Sequence, residues 1–129
     1  MANRYLDWLN QAKRDLFQAE QSHHSKIYEW SCFACHQAAE KAVKSLHLYL
    51  NQEVWGHVIA KLLDELPSHI QVQDDIIEKA HVLDAFYIAP RYPNGHPEGA
   101  PFENYGSLQS SEAIKYAGEI IEFISSKLA

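Results

Sequence analysis

The sequence has little of what would mark an exported, membrane-spanning or duplex-coating protein. It carries two cysteines in 129 residues, too few for a disulfide framework, and that usage points to a reducing compartment. No stretch of 18 apolar residues occurs, so no membrane span is expected. The opening Met1-Ala2-Asn3-Arg4-Tyr5 passes straight into an amphipathic pattern. It has neither the apolar segment nor the small-residue cleavage site of a signal peptide, and a cytoplasmic location is the expectation. Positive charge is in deficit, with 11 Lys and Arg against 17 Asp and Glu for a net charge of −6. That argues against non-specific duplex binding, which needs a basic face, but leaves room for a local cationic site holding one phosphate. No segment alternates at period two, so no strand is expected.

What is present suits one helical domain over residues 1–129. At 47% hydrophobic and 22% charged the chain can bury a core. Apolar residues four and three apart place Tyr5, Leu9, Ala12, Leu16 and Ala19 on one stripe of a helix from about Tyr5 to Glu20. His23, His24 and Ser25 break that pattern and read as a solvated turn, with Ser25 placed to cap the next helix. The second helix, about Lys26 to Leu50, has Cys32, Cys35, Ala39, Ala42 and Leu46 on its stripe, small residues that let a neighbour approach closely. A short helix around Val58 to Leu66 ends at Pro67. A fourth, about Asp74 to Ile88, buries Ile77, Ala80, Leu83 and Tyr87 and stops before Pro90. The last, about Gln109 to Leu128, shows Ala113, Ala117, Ile120 and Ile124. The fold class expected is all-α, an antiparallel up-and-down bundle of four main helices plus one short helix.

Four of the five prolines and three of the five glycines fall within residues 89–106. A loop of that length in a compact domain is usually functional or disordered, and prolines mixed with aromatics favour an ordered, stiff one. It contains Arg91-Tyr92-Pro93-Asn94-Gly95-His96. An arginine fork suits a phosphate, and a histidine titrating near neutrality can move a proton. Together Arg91 and His96 could cut RNA without a metal; the plainer alternative has Arg91 paired with a carboxylate to pin the loop and His96 exposed.

Other candidates read as structural. Cys32-Phe33-Ala34-Cys35-His36 matches the C-x-x-C-H string of haem attachment, but both cysteines lie on the apolar stripe, where cysteine behaves as a small hydrophobe. No further pair completes a zinc pattern, so neither metal nor cofactor is expected. His57 is placed to hydrogen-bond the start of the third helix. Glu40 and Lys41 read as exposed charges or as polar contacts at a subunit interface.

Several strings resemble the HEPN family: Ala12-Lys13-Arg14-Asp15-Leu16, Phe33 to Lys44 with its Gln37-Ala38-Ala39-Glu40-Lys41-Ala42 centre, Gly56-His57, and Tyr87-Ile88-Ala89-Pro90-Arg91-Tyr92-Pro93. The resemblance implies a small helical bundle, a homodimer, and a minimal nucleotidyltransferase as antitoxin-like partner of a toxin-type endoribonuclease acting on single-stranded RNA. It implies Arg91 and His96 as the catalytic Arg-x4-His pair, meeting their counterparts across the dimer, with Arg91, Tyr92 and Asn94 holding the nucleotide or RNA. Tyr92 stands where active relatives carry a polar residue after the arginine. Glu98 stands where the tyrosine modified by the transferase is found. A nucleotide- or RNA-binding module without cleavage, or a protein-interaction subunit of a transferase complex, is the alternative. Trp55, Phe102 and Tyr105, aromatics placed near loops where burial in the core is not obvious, are the residues expected at such an interface.

Overall fold

The computed structural model describes residues 3–128. Five α-helices follow one another as α1 (Tyr5–His24), α2 (Tyr28–Tyr49), α3 (Ile59–Asp64), α4 (Asp74–Asp84) and α5 (Ser107–Lys127), and no strand occurs among the described residues. Four long helices and one short one form the bundle expected from the apolar spacing. None of them is long and apolar enough to cross a membrane.

The centre of the bundle is α2, which packs against each of the other four helices. Its stripe of Cys32, Cys35, Ala38, Ala39, Ala42, Val43 and Leu46 is fully buried. Ala12 and Ala19 of α1 and Ala113 and Ala117 of α5 are fully buried as well. Small residues facing small residues bring the axes close, and the Ser31 hydroxyl then reaches the Ala19 carbonyl at 2.8 Å. Burial extends past the stripe to Ser31, His36, Glu40, Ser45 and His47, so α2 has no solvated face of the usual width. The polar ones are satisfied: His47 donates through Nε2 to the Leu62 carbonyl at 2.8 Å, tying α2 to α3.

The helix ends differ from the sequence expectation, each for a physical reason. α1 runs on through His23 and His24, because the His23 ring finds Ser110 Oγ at 2.5 Å on α5 and is not left to solvent. Ser25 does not cap α2; it closes α1, and Lys26 follows in the left-handed region at φ 63°. The Ile27 amide bonds the Ser22 carbonyl and the Lys26 amide bonds the His23 carbonyl, which is the Schellman pattern. Asn51, at φ 59°, repeats it after α2, with the Gln52 amide on His47 and the Asn51 amide on Leu48. A β-carbon costs about 1 kcal/mol in this region. Lys26→Gly is therefore expected to stabilise the fold by about 1 kcal/mol and raise Tm by roughly 4 °C in a thermal melt.

α4 ends at Asp84, four residues short of the expected boundary. From Ala85 the amides bond i−3 carbonyls, as Ala85 to Val82 and Phe86 to Leu83, and the tightened turn leads to a buried Pro90 whose ring could not continue a helix. On α4 it is Ile76, not Ile77, that is buried; Ile77 is half-buried.

Candidate functional site

The loop of residues 89–106 is ordered, as its composition predicts. Two 3₁₀ turns, Pro93–Gly95 and Pro101–Glu103, give it local structure. The Asn104 side chain donates to the Glu98 and Ala100 carbonyls at 3.1 and 2.9 Å. At Gly95 a β-carbon would lie 2.9 Å from the Ala89 backbone, so the two arms of the turn approach as closely as only glycine allows.

Arg91 leaves this loop and lies down on aromatic rings. Its Nε donates to the Tyr87 carbonyl at 2.7 Å. Its guanidinium carbon sits 4.3 Å from the Phe33 ring centre, 4.9 Å from Tyr87 and 5.5 Å from Tyr92. Stacking of this kind suits the delocalised, weakly hydrated guanidinium better than an ammonium. Among the described residues no carboxylate pairs with Arg91. The alternative in which a carboxylate pins the loop through Arg91 is thereby overturned. One Nε–H is committed, and the terminal fork keeps its donors.

His96 is half-buried, not exposed as that alternative had it. Its Nε2 lies 2.7 Å from the Ala89 carbonyl, and the Tyr105 ring meets it edge-on at 5.5 Å. A carbonyl only accepts, so Nε2 bears the hydrogen and Nδ1 keeps a lone pair. Tyr105 is half-buried against Phe86 and His96 and its hydroxyl pKa is pushed up to about 12 by burial. It belongs to the packing, whereas Trp55 and Phe102 are 82% and 66% exposed. Tyr92 and Asn94 are both exposed, Tyr92 with one face toward Arg91.

Beside the arginine lies a polar cluster that the spacing of the sequence does not assemble. Glu40, expected at the surface, is 5% exposed. Its carboxylate accepts from Lys44 Nζ at 3.0 Å and from His57 Nδ1 at 3.0 and 3.2 Å. The His57 ring stacks on Tyr87 at 4.6 Å, on the ring that also carries Arg91. The fully buried His36 donates Nε2 to the His57 carbonyl at 2.8 Å. His57 does not serve the start of α3. That role falls to Asp84 of α4, whose carboxylate accepts the Ile59 and Ala60 amides at 2.6 and 3.1 Å. Lys41 pairs with Asp15 of α1 at 2.5 Å.

Cys32 and Cys35 are buried and unpaired with each other. Burial, aided by the Glu29 charge, pushes the Cys32 thiol up to about 12, and burial followed by the charges of Cys32 and Glu20 pushes Cys35 higher still. Among the described residues no group of three or more His, Cys, Asp or Glu could hold a metal ion. Because the folded thiols hold their protons longer than unfolded ones do, their contribution is complete below about pH 9, the ordinary thiol value, and is lost as pH rises toward their folded values. Chemical denaturation is expected to show stability falling above pH 9, with a shallower fall in Cys32→Ala and Cys35→Ala. Slow native-state alkylation at neutral pH should accompany it.

The sequence matches the HEPN domain family over residues 5–127. The chain belongs to the HEPN family. Its fold superposes on the crystal structure of TT1696 from Thermus thermophilus, at 45% identity and a TM-score of 0.97, covering 98% of this chain and 100% of that one. ST0689, an archaeal HEPN homologue, is 37% identical with a TM-score of 0.83 over 99% of this chain and 100% of that one. A HEPN domain protein from Thermotoga maritima is 30% identical with a TM-score of 0.78 over 95% and 97%. No curated protein matches the chain.

In this HEPN protein the expected site residues fall into two groups. Arg91 joins Phe33 of α2 and Tyr87 beyond α4, which the spacing did not reveal. His96 bonds back to Ala89 within the loop. The Glu40–His57 pair was missed because its partners are 17 residues apart and meet only where the segment before α3 folds back on α2.

Proposed function

We propose that this HEPN protein binds single-stranded RNA through the guanidinium of Arg91 and, as a homodimer, cleaves it without a metal, with His96 moving the proton. The observation that carries the reading is the arginine itself. It is fixed by one Nε–H bond to Tyr87 and by three rings, and among the described residues no carboxylate pairs with its terminal donors. A preorganised fork loses little side-chain freedom on meeting a phosphate, which is why such a site can hold an anion on a chain of net charge −6. The exposed Tyr92 and Asn94 beside it can stack on and hydrogen-bond an unpaired base. The Ala89 carbonyl commits Nε2–H of His96 and leaves Nδ1 as the nitrogen that carries the mobile proton, the logic of an oriented catalytic imidazole. The exposed Trp55 and Phe102 support a protein partner: a second copy, and in the cell a nucleotidyltransferase-like antitoxin.

A second reading has the loop bind RNA or a nucleotide without cutting it. It is favoured by Tyr92-Pro93 after the arginine and by the commitment of His96 Nε2 to Ala89. Incubating the purified protein with an end-labelled single-stranded oligoribonucleotide in EDTA separates the two. Shifted and shortened strands are expected, from a particle of twice the chain mass by light scattering. A shifted but intact strand selects the binding module. A monomer that leaves the RNA unshifted and intact defeats both readings.

A further inference from the structure

His57 is held more completely than its exposure requires. Its side chain is 51% exposed, yet its ring nitrogen is fixed by Glu40, its backbone carbonyl by the buried His36, and its ring face by Tyr87. A half-exposed histidine gains little stability from three separate restraints. Glu40 is in turn held by Lys44, whose side chain is 14% exposed. A carboxylate only accepts, so Nδ1 bears the hydrogen and Nε2 keeps the lone pair. His57 lines a groove of about 490 Å³ together with Val58, Tyr87, Ile88, Ala89 and Gly95. The groove reaches from the His57 ring to Ala89 and Gly95 of the loop that bears Arg91, and Tyr87, which lines it, is in contact with both the His57 ring and the Arg91 guanidinium.

We propose that His57, oriented by Glu40, is the proton acceptor for the RNA phosphate that Arg91 holds in the same subunit. The inference rests on the RNA reading above and assigns the base within it. His57 Nε2 takes the proton of a ribose 2′-hydroxyl, O2′ bonds to phosphorus, and the bond from phosphorus to O5′ breaks. The departing O5′ takes a proton from the imidazolium form of His96 at Nδ1. The products are a 2′,3′-cyclic phosphate and a 5′-hydroxyl end, and both histidines exchange protons with water before the next turnover. Glu40 touches no substrate. It is a positioning residue that fixes the tautomer and stabilises the imidazolium as it forms.

The test uses the full chain, an end-labelled single-stranded oligoribonucleotide, and the all-2′-deoxy strand of the same sequence as a probe that binds without being cut, all in EDTA. His57→Ala is expected to lower kcat by about 100-fold or more. KM and the Kd for the deoxy strand should stay within about threefold, since the base acts only on the reacting hydroxyl. Glu40→Gln should lower kcat with binding unchanged. Long-range 1H–15N spectra should show His57 as one tautomer, protonated at Nδ1, in the wild type and as a mixture in Glu40→Gln. If His57→Ala fails to melt cooperatively, His57→Gln, which keeps a donor for Glu40, decides in its place. Full cleavage by the His57 variant alongside a dead His96→Ala overturns the inference and leaves the RNA reading standing. A wild-type protein that binds but never cuts overturns it together with the cleavage reading, and one that does not bind removes the RNA reading as a whole.

Discussion

Arg91→Ala is expected to weaken binding of single-stranded RNA by about 10- to 100-fold, the loss of a charged hydrogen-bonded contact of roughly 1.5–3 kcal/mol. Cleavage should fall further than binding. The arginine meets the phosphate in the ground state, and the charge on it grows in the transition state. Arg91→Lys is the informative companion. It keeps the positive charge but not the planar fork, the Nε–H bond to Tyr87 or the stacking on Phe33 and Tyr87. If Arg91 acted as a point charge, lysine would restore most of the affinity; on a stacked and bidentate site it should restore little. Gel shifts at two salt concentrations check this, because loss of one phosphate contact also lowers the salt slope by about one. Unchanged binding in both variants would place the RNA elsewhere on the molecule.

His96→Ala should have the other large effect, and of a different kind. Cleavage in EDTA is expected to drop by about 100-fold or more with loss of the proton carrier. Binding should fall by only a few-fold, since the 2.7 Å tether from His96 to the Ala89 carbonyl disappears with it. His96→Asn, whose amide can donate to the same carbonyl, separates the two contributions. If asparagine restores both binding and cleavage, His96 is a loop clamp and has no part in proton transfer. If it restores binding alone, the imidazole is needed as the proton carrier. Single-turnover rates with the oligoribonucleotide, beside affinities for the deoxy strand, give that comparison directly.

The bundle was legible because its signal is periodic. On α2 the stripe from Cys32 to Leu46 repeats at three and four residues, and burial follows the repeat. The ends of the helices were less legible, because they depend on partners remote in sequence: His23 stays helical by way of Ser110, and the start of α3 is capped by Asp84. The loop announced itself by proline and glycine content, but what it builds did not. Arg91 stands out as a lone cation among aromatics, yet nothing in the spacing says that Phe33, 58 positions earlier, is the ring beneath it. Glu40 read as a surface charge because one-dimensional patterns assign charge to the solvated side. A helix packed on all sides has too little of that side, and its carboxylate must find donors, here Lys44 and His57.

Phe33 and Glu40 stand seven residues apart on α2, two turns of helix and about 10 Å along its axis. One holds the arginine and the other the histidine. The central helix is thus a ruler that sets the span between the two groups. Single residues along it can be exchanged without altering that span. Inserting or deleting one between positions 33 and 40 would turn the far mark through about 100° and swing Phe33 or Glu40 away from its partner. A change of length in this segment is therefore expected to disrupt the site where a substitution need not, and its length is as much a part of the site as any side chain in it.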